Sequence, residues 1–193
     1  MIKKVEQAAL TRASLEVTAR ELFETRGFAA VSAEEIVATA GVTRGALYHH
    51  YAGKEGLFEA VAEAAMKRLH DNIARAAGSA RDPGEALRLG VRRFLELSAV
   101  PRTQRLLFVD APVVLGWHRW RDMDARYGLG LLKQVIRLAS AQTSTRAGPP
   151  DVVAHLLLGA MIEASMLIAN APHKADARAE AEAVLDRLIA GLQ

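Results

Sequence analysis

A short stretch near residue 50 concentrates side chains that could contact another molecule. Its polar members are Arg44, Tyr48, His49, His50 and Lys54. Guanidinium groups, tyrosine hydroxyls and imidazoles are common partners of phosphate oxygens and of base edges in DNA. A metal site is the alternative for His49 and His50, but neighbouring helical residues point about 100° apart, and neither histidine has a second ligand one turn later. The stretch therefore predicts a contact with DNA and no metal site.

The placement of charge at the start of this stretch supports the same prediction. Thr43 is a good N-terminal cap for a helix, and Arg44 and Gly45 follow it with no carboxylate in the first turn. Carboxylates normally favour a helix N-terminus, so their absence suits a helix end that meets an anionic surface. Gly45 costs about 1 kcal/mol of helix propensity relative to alanine. Close approach of another molecule would explain that cost; simple tolerance of glycine in an exposed helix is the alternative.

Three short helices are predicted to position these side chains. The first covers roughly residues 11–26, Ser32 can cap a second, and Thr43 caps the third. Gly41 lies in the three-residue interval between the second and third helices. Two helices joined by such a turn are typical of a helix-turn-helix, although a plain helical hairpin shows the same spacing. Lys54 begins a fourth helix, where a cation opposes the helix dipole unless a phosphate neutralises it.

The segment from about Thr11 to Val61 resembles the N-terminal DNA-binding domain of the TetR (tetracycline-repressor-like) family of bacterial regulators. The residues that carry the resemblance are Leu22-Phe23, Gly27-Phe28, Ser32, Ile36, Ala40-Gly41-Val42, Gly45, Leu47-Tyr48, Tyr51, Lys54, Glu55 and Leu57-Phe58. There are small departures. Tyr51 stands where phenylalanine is usual, and Ala52-Gly53 replaces a commoner pair drawn from Gly, Ser, Asn and Asp.

The resemblance implies an all-helical homodimer whose third helix enters the major groove of DNA. It also implies a C-terminal domain that binds a small molecule and thereby alters DNA affinity. The residues carried over by position as DNA contacts are Thr43, Arg44, Gly45, Tyr48 and His49, with Ser32 and Lys54 as phosphate contacts. Whether Arg44 or His50 reaches a base edge stays open.

Composition limits the remaining possibilities. The chain has 193 residues, of which 51% are hydrophobic and 24% charged, as is typical of a folded globular protein. It contains no cysteine, which excludes disulfides and cysteine nucleophiles and fits a reducing cytosol. The N-terminal segment MIKKVEQAALTR has no apolar run, so no signal peptide is expected and the predicted location is cytoplasmic.

Charge is unevenly distributed along the chain. Residues 1–60 hold seven Lys or Arg against eight Asp or Glu, a net charge of −1. Residues 67–137 hold fourteen against seven, a net charge of +7. DNA binding by the N-terminal part must therefore depend on the local placement of cations, because its bulk charge supplies no attraction.

The segment from Val152 to Asn170 is apolar nearly all round and approaches the length of a membrane span. It contains His155, Glu163 and several small residues, which favours a buried helix with close helical neighbours over a lipid-facing one. A lone carboxylate in such a helix is costly unless it is paired. Glu163 is therefore expected either in a salt bridge or as a polar anchor for a ligand. His155 is a second candidate ligand contact, with a buried hydrogen bond as the alternative.

Residues 116–132 form the other dense cluster of aromatic and charged side chains. Trp117 and Trp120 are three residues apart and share a helical face, with Arg121 beside them. Trp117 and Tyr127 could line a pocket, and aromatic packing in a core is the alternative. The predicted ligand contacts are Trp117, Trp120, Arg121, Tyr127, His155 and Glu163.

The last helix is predicted to be amphipathic. The residues that line its apolar face are Ala181, Val184, Leu185, Leu188 and Leu192. In the family that the chain resembles, the final two helices pack against their copies as a four-helix dimer interface. The composition agrees, because the penultimate helix carries more apolar surface than a monomer readily covers.

The sequence thus predicts an all-α protein of about nine helices. A helix-turn-helix DNA-binding domain is expected over residues 1–60, and a helical effector-binding and dimerisation domain over residues 61–193. The predicted function is a ligand-responsive regulator, usually a repressor in such families. It would bind a near-palindromic double-stranded DNA operator as a homodimer and be released by a small-molecule effector, with no cofactor and no membrane.

Two other function classes are weighed against this prediction. An enzyme is the second, but the sequence shows no nucleophile elbow, no phosphate-binding loop and no dinucleotide fingerprint. The third is an architectural DNA-binding protein that senses no ligand. A small molecule that copurifies with the protein would separate the third class from a ligand-responsive regulator.

Overall fold

The computed structural model describes residues 2–141 and 148–191, and the side chains within 5–141 and 148–191. These residues form nine helices and no strand, so the predicted all-α fold is confirmed. Seven are uninterrupted: α1 (Ile2–Arg26), α2 (Ala33–Ala40), α3 (Arg44–Tyr51), α4 (Lys54–Ala77), α5 (Pro83–Ser98), α8 (Pro150–Asn170) and α9 (Lys174–Ala190). The first helix begins earlier than the predicted residue 11, because the segment before Thr11 contains neither glycine nor proline to interrupt it.

The other two helices each contain a π-helical turn. Helix α6 runs over residues 101–115 as Pro101–Gln104, the π turn Arg105–Asp110, and Ala111–Leu115. Helix α7 runs over residues 117–141 as Trp117–Asp124, the π turn Ala125–Leu129, and Gly130–Ala141. Such single turns widen a helix locally and are frequent at functional sites.

The chain divides into two compact units, and the division is not a simple cut along the sequence. The first unit comprises Met1–Ala65 with Arg105–Trp120, and the second comprises Met66–Gln104 with Arg121–Gln193. The predicted domain boundary near residue 60 lies close to the first break. The sequence did not indicate that residues 105–120 pack with the N-terminal helices.

Three aromatic rings form the centre of the first unit. The ring centroids of Phe23 and Phe28 lie 5.2 Å and 5.1 Å from that of Phe58, both in edge-to-face arrangements. Such pairs stabilise a core by about 0.5–1.5 kcal/mol beyond the burial of their area. Leu15 and Leu47 are fully buried and fix α1 and α3 against this centre.

In the second unit, helices α5, α7, α8 and α9 pack against one another. Within the described residues, α8 is the one helix long and apolar enough to cross a membrane by length and composition. One face of α8 is nevertheless packed inside the unit, with Leu158 and Ile168 each 2% exposed. The other face is apolar and exposed, as Leu156 and Leu167 show.

Helix α9 has two apolar faces where the sequence predicted one. Leu185 and Ile189 are buried within the unit, whereas Val184 and Leu188 are exposed. Val184 and Leu185 are neighbours in the sequence and therefore point about 100° apart on the helix. One of them faces the interior of the unit and the other faces outward. The prediction for Leu192 lies outside the described residues.

Candidate functional site

Two capped helix starts and a left-handed glycine build the helix-turn-helix. The Ser32 hydroxyl accepts a hydrogen bond from the Glu35 amide at 3.0 Å, and the Thr43 hydroxyl accepts one from the Ala46 amide at 3.2 Å. Gly41 ends α2 with φ 68°, a conformation that costs a side-chain-bearing residue about 1 kcal/mol or more. The turn between α2 and α3 therefore has the short, fixed form that the sequence predicted.

Helix α3 presents a continuous polar surface. Arg44, Tyr48 and His49 are exposed, while Leu47 on the opposite side is completely buried. A side chain added at Gly45 would meet no atom closer than 3.8 Å, so nothing within the protein requires glycine there. Space that the protein itself does not use is compatible with close approach of another molecule, as the sequence suggested.

Arg44 already has partners without DNA. Its Nη1 lies 3.0 Å from Oε1 of Glu34 on α2, and its guanidinium carbon lies 5.6 Å from the centroid of the Tyr48 ring. Both members of the ion pair are more than 60% exposed. Exposed pairs of this kind contribute at most about 1 kcal/mol, so Arg44 is available to exchange Glu34 for a phosphate or a base edge.

Lys54 has a different environment from the one the sequence suggested. Its ammonium donates to the carbonyl oxygens of Phe28 at 3.1 Å and Val31 at 2.9 Å, and it lies 3.8 Å from the centroid of the Phe28 ring. These contacts explain a lysine at the start of α4 without a phosphate. A phosphate contact through the remaining N–H stays a prediction, as does one from Ser32, whose hydroxyl accepts the capping bond.

The end of α3 is anchored to α1 through Tyr51. Its hydroxyl donates to Glu16 Oε1 at 2.6 Å and accepts from Arg12 Nε at 3.2 Å. Burial, followed by the hydrogen bond to Glu16, raises the pKa of Tyr51 to about 12, so the hydroxyl stays protonated. His50 is half-buried, with its ring 6.2 Å from that of Tyr51. Arg44 is thus the more accessible of the two candidates for a base edge.

Two residues of α6 that the sequence analysis missed hold the end of α1. Asp110 Oδ2 accepts a hydrogen bond from the Phe28 amide at 2.8 Å, and the Arg105 guanidinium donates to the Thr25 carbonyl. They lie about 80 residues from their partners in the sequence. No periodicity within a single helix reports a contact over that separation.

The six predicted ligand contacts are divided between the two units. Trp117 is 62% exposed, and Trp120 is buried with its indole N–H donating to the Leu107 carbonyl at 2.8 Å. Both tryptophans belong to the first unit, whereas Arg121 and the three remaining candidates belong to the second. Trp120 therefore fits the alternative of core packing.

Within the second unit the remaining candidates differ in their surroundings. Arg121 pairs with the buried Asp124 at 3.1 Å, and Tyr127 stacks on the His70 ring at a centroid distance of 6.4 Å. His155 and Glu163 are both exposed on this chain, and the two alternatives for Glu163, a salt bridge and a ligand contact, stay predictions. Its helix has a second, open face, and the carboxylate lies on that side.

The second unit contains an apolar cavity of about 40 Å³. Its walls come from α4, α5, α7 and α8, and none of the six predicted ligand contacts lines it. The lining residues are His70, Ile73, Ala77, Ala86, Leu87, Gly90, Val91, Phe94, Gly128, Leu131, Leu132, Val135, Leu158 and Met161. His70 is the one titratable residue among them.

Burial dominates the electrostatics near this cavity. His70 is 8% exposed, and burial lowers the pKa of its imidazole to about 4. Asp124 is 2% exposed, and burial raises the pKa of its carboxyl to about 6 although Arg121 opposes the shift. At neutral pH the imidazole is therefore uncharged. His70 shares a helical stripe with Met66, Ile73 and Ala77, and a histidine in such a stripe was the signal the sequence analysis missed.

Among residues 5–141 and 148–191, no cluster of three or more His, Cys, Asp and Glu side chains is placed to hold a metal ion. His49 and His50 lie side by side with ring centroids 5.1 Å apart, on the exposed part of α3.

Comparison with known proteins identifies the family from both parts of the chain. The family profile described as "Bacterial regulatory proteins, tetR family" matches residues 17–61, and that described as "Tetracyclin repressor-like, C-terminal domain" matches residues 84–192. A solved TetR-family transcriptional regulator from Pectobacterium atrosepticum is 32% identical, with a TM-score of 0.79 over 97% of this chain and 96% of its own.

Two further similarities are more limited in what they cover. The transcriptional regulator TtgR of Pseudomonas putida is 38% identical over 104 residues, so the match spans about half of each protein, 52% of this chain and 49% of TtgR. RolR, solved in complex with resorcinol, shares the fold with a TM-score of 0.72 at 20% identity, over 95% of this chain and 89% of its own. The chain belongs to the TetR family of DNA-binding transcriptional regulators.

Proposed function

We propose that this protein is a ligand-responsive transcriptional repressor in the cytoplasm. It binds a near-palindromic operator as a homodimer through α3 and is released when a small molecule occupies the second unit. The observation that carries the proposal is the polar surface of α3, where Arg44, Tyr48 and His49 are exposed around the unfilled space at Gly45. Family membership supports the DNA-binding part of the proposal.

The chemistry of this surface suits a DNA groove. The N-terminus of α3 carries partial positive charge and has no acidic residue in its first turn. Arg44 supplies a planar guanidinium that suits bidentate recognition of guanine or of a phosphate. Tyr48 and His49 add hydrogen-bonding tips one turn further along the helix. Phosphate contacts position such a helix, and contacts to base edges give sequence specificity.

The homodimer is supported by the open apolar face of the last two helices. Four large side chains there are between 46% and 70% exposed: Leu156, Leu167, Val184 and Leu188. Small residues such as Ala160 and Ala181 line the groove between the helices, which permits close approach of another helix. A second copy of the same pair would cover this face and remove its apolar area from water. Two recognition helices related by two-fold symmetry require half-sites spaced by about 34–36 Å, one DNA turn, or a multiple of it.

The DNA contact is tested by gel-shift titration with an operator obtained by selection of bound sequences. Arg44→Ala and Tyr48→Ala should each weaken specific binding by about 1–3 kcal/mol. Arg81→Ala, which removes a highly exposed arginine of the second unit, is the matched control and should leave affinity unchanged. Unchanged operator affinity in both α3 variants would reject α3 as the recognition helix.

The dimer is tested by sedimentation of the DNA-free protein. Leu188→Glu places a carboxylate in the proposed interface and should release monomers, because a buried unpaired charge is costly. Leu138→Glu on α7 is the control, since Leu138 and Leu188 are equally exposed at 52%. A wild-type monomer at micromolar concentration, or equal dissociation by both variants, would count against this interface.

An architectural DNA-binding protein without an effector is the competing function. It shares the α3 surface and the dimer, so neither test above separates the two. The difference lies in the second unit, where only a ligand-responsive protein requires a binding cavity linked to DNA affinity.

A further inference from the structure

The guanidinium of Arg12 on α1 is held at one of its edges only. Its Nε donates to Glu16 Oε1 at 3.1 Å and to the Tyr51 hydroxyl at 3.2 Å, and the guanidinium carbon lies 5.6 Å from the centroid of the Tyr51 ring. Neither Nη nitrogen of Arg12 has a hydrogen-bond partner among the described residues, and the side chain is 62% exposed. Four N–H groups of Arg12 are therefore left for a partner outside the unit.

The hydroxyl of Tyr51 serves this arrangement and not the packing of the core. The Tyr51 ring is buried, and the phenylalanine that is usual at this position in the family would fill the same space. The hydroxyl donates to Glu16 Oε1 at 2.6 Å and accepts from Arg12, so the three side chains form a closed network of hydrogen bonds. An exposed ion pair by itself holds its two side chains weakly. Tyr51 therefore gives the Arg12 guanidinium an orientation that Glu16 alone would not.

Arg12 lies beside the face of α3 that carries Arg44. Arg44 and Tyr51 are seven residues apart, almost two full turns, so they lie on the same face of α3. Arg44 is at the N-terminal end of this face, and the Tyr51 hydroxyl holds Arg12 at its C-terminal end. At 1.5 Å per residue, these two ends are about 10 Å apart along the helix axis. This separation is close to the width of the major groove of B-DNA, about 12 Å, which phosphates border on both sides.

A phosphate is the partner that this arrangement suits. In helix-turn-helix proteins the elements beside the recognition helix meet the DNA backbone. A guanidinium donates two parallel N–H bonds to phosphate oxygens, and here its Nη nitrogens are the donors without partners. We propose that Arg12 contacts a DNA phosphate and that Tyr51 is the positioning residue that orients its guanidinium for this contact. The inference rests on the proposed function, because it takes α3 to be the helix in the groove.

The test is gel-shift titration of the full chain at several salt concentrations, with the selected operator and with a scrambled duplex of the same length. Arg12→Ala should weaken both complexes by the same factor, roughly tenfold at ~0.1 M salt, because a phosphate contact carries no sequence information. The slope of log affinity against log salt should fall in magnitude by about 2, one phosphate for each protomer of a homodimer. Arg12→Lys keeps the charge and should keep the slope.

Arg119→Ala is the matched control. Arg119 also belongs to the first unit, and it pairs with Glu59. The two side chains of this pair are 60% and 36% exposed, against 62% and 35% for Arg12 and Glu16. Loss of the Arg119 charge should leave the salt slope unchanged. An unchanged slope in Arg12→Ala, or an equal fall in Arg119→Ala, would overturn the phosphate contact.

Tyr51→Phe separates the positioning of Arg12 from its charge. This variant keeps the aromatic ring and both charges, so the salt slope should stay the same while affinity for both duplexes falls about threefold. In the Arg12→Ala background, the same change should have no further effect on affinity, because no guanidinium remains to be oriented. Equal losses in the two backgrounds would show that the hydroxyl acts on α3 alone and would reject the positioning role.

Failure of this inference and failure of the proposed function give different results. If Arg44→Ala and Tyr48→Ala weaken operator binding while Arg12→Ala leaves the salt slope unchanged, α3 remains the recognition helix and only the phosphate contact is rejected. If both α3 variants bind as tightly as the wild type, the proposed use of α3 fails, and the place of Arg12 beside the groove is rejected with it.

Discussion

Arg44 is the residue at which the DNA-free structure and the proposed complex compete. In the free protein its guanidinium pairs with Glu34 across the turn of the helix-turn-helix. A phosphate or guanine partner must displace that carboxylate or accept its repulsion. Glu34 therefore opposes binding twice, once by holding the cation and once by placing negative charge beside the DNA backbone.

Glu34→Gln should therefore increase affinity for DNA. The exposed pair is worth about 0.2–1 kcal/mol, so operator binding should become about two- to fivefold tighter at ~0.1 M salt. The gain should shrink as salt is raised, because screening weakens exposed charges. Gel-shift titration at several salt concentrations measures both effects. Glu96→Gln is the control, since Glu96 forms an exposed pair with Arg93 in the second unit. Equal gains in the two variants would show that net charge, and not Arg44, is responsible.

At the residue scale, contacts could be predicted from the sequence where the two partners lie within a few residues of each other. Both helix caps, at Ser32 and Thr43, form as predicted, because a cap and its target lie within three residues. The carbonyl partners of Lys54 could not be predicted, because Phe28 and Val31 lie in a loop more than twenty residues earlier. The face of α8 on which Glu163 lies could not be predicted either, because the composition of this helix shows that it is apolar but not which face is covered.

At the scale of elements, the loop after α1 is held by a helix distant in sequence. Asp110 lies in the π turn of α6 and accepts the Phe28 amide hydrogen bond at 2.8 Å. The loop that it fixes leads directly to Ser32 and α2. Hydrogen bonds to charged groups contribute about 1.5–3 kcal/mol, so this contact is a substantial restraint on the helix-turn-helix.

Asp110→Ala should loosen that loop and weaken DNA binding. We expect the free energy of unfolding to fall by about 1–3 kcal/mol, with faster hydrogen exchange of the Phe28 amide. Asp110→Asn keeps an oxygen acceptor and should lose less. Hydrogen exchange followed by NMR gives the local effect, and urea denaturation gives the global one. Unchanged protection of the Phe28 amide in Asp110→Ala would show that the contact does not restrain the loop.

Helix boundaries followed from the sequence better than the pairing of helices did. The number and type of helices were predicted from glycine and proline breaks and from apolar periodicity. The π turns in α6 and α7 were not, because they depend on the packing of side chains from other helices. One of them carries Gly128, so the cavity beside His70 depends on a feature that periodicity does not report.

On the scale of the whole molecule, the buried side chains of His70 and Asp124 have opposite effects on how stability depends on pH. The pKa of His70 is lowered from 6.5 to about 4 in the folded state. The unfolded chain therefore binds a proton that the folded one does not, and stability falls as pH drops from about 6.5 to 4. The pKa of Asp124 is raised from 3.8 to about 6, so the folded state retains a proton that the unfolded one has lost. Its contribution to stability falls as pH rises from about 4 to 6.

Each pKa shift corresponds to about 3 kcal/mol of unfolding free energy. The opposite pH dependences of His70 and Asp124 therefore nearly cancel between pH 4 and 6 in the wild type. Single variants should reveal them separately. Relative to wild type, His70→Phe should lose up to about 3 kcal/mol of stability as pH rises from 4 to 6, because only Asp124 then titrates. Asp124→Asn should gain a similar amount over the same range, because only His70 remains. Urea denaturation at half-unit pH intervals measures both differences, and groups common to all three proteins drop out of the comparison.

Because His70→Phe also removes an unsatisfied buried nitrogen, it should be more stable than wild type at pH 4. Parallel pH profiles in the two variants would mean that neither group is buried as the structure describes.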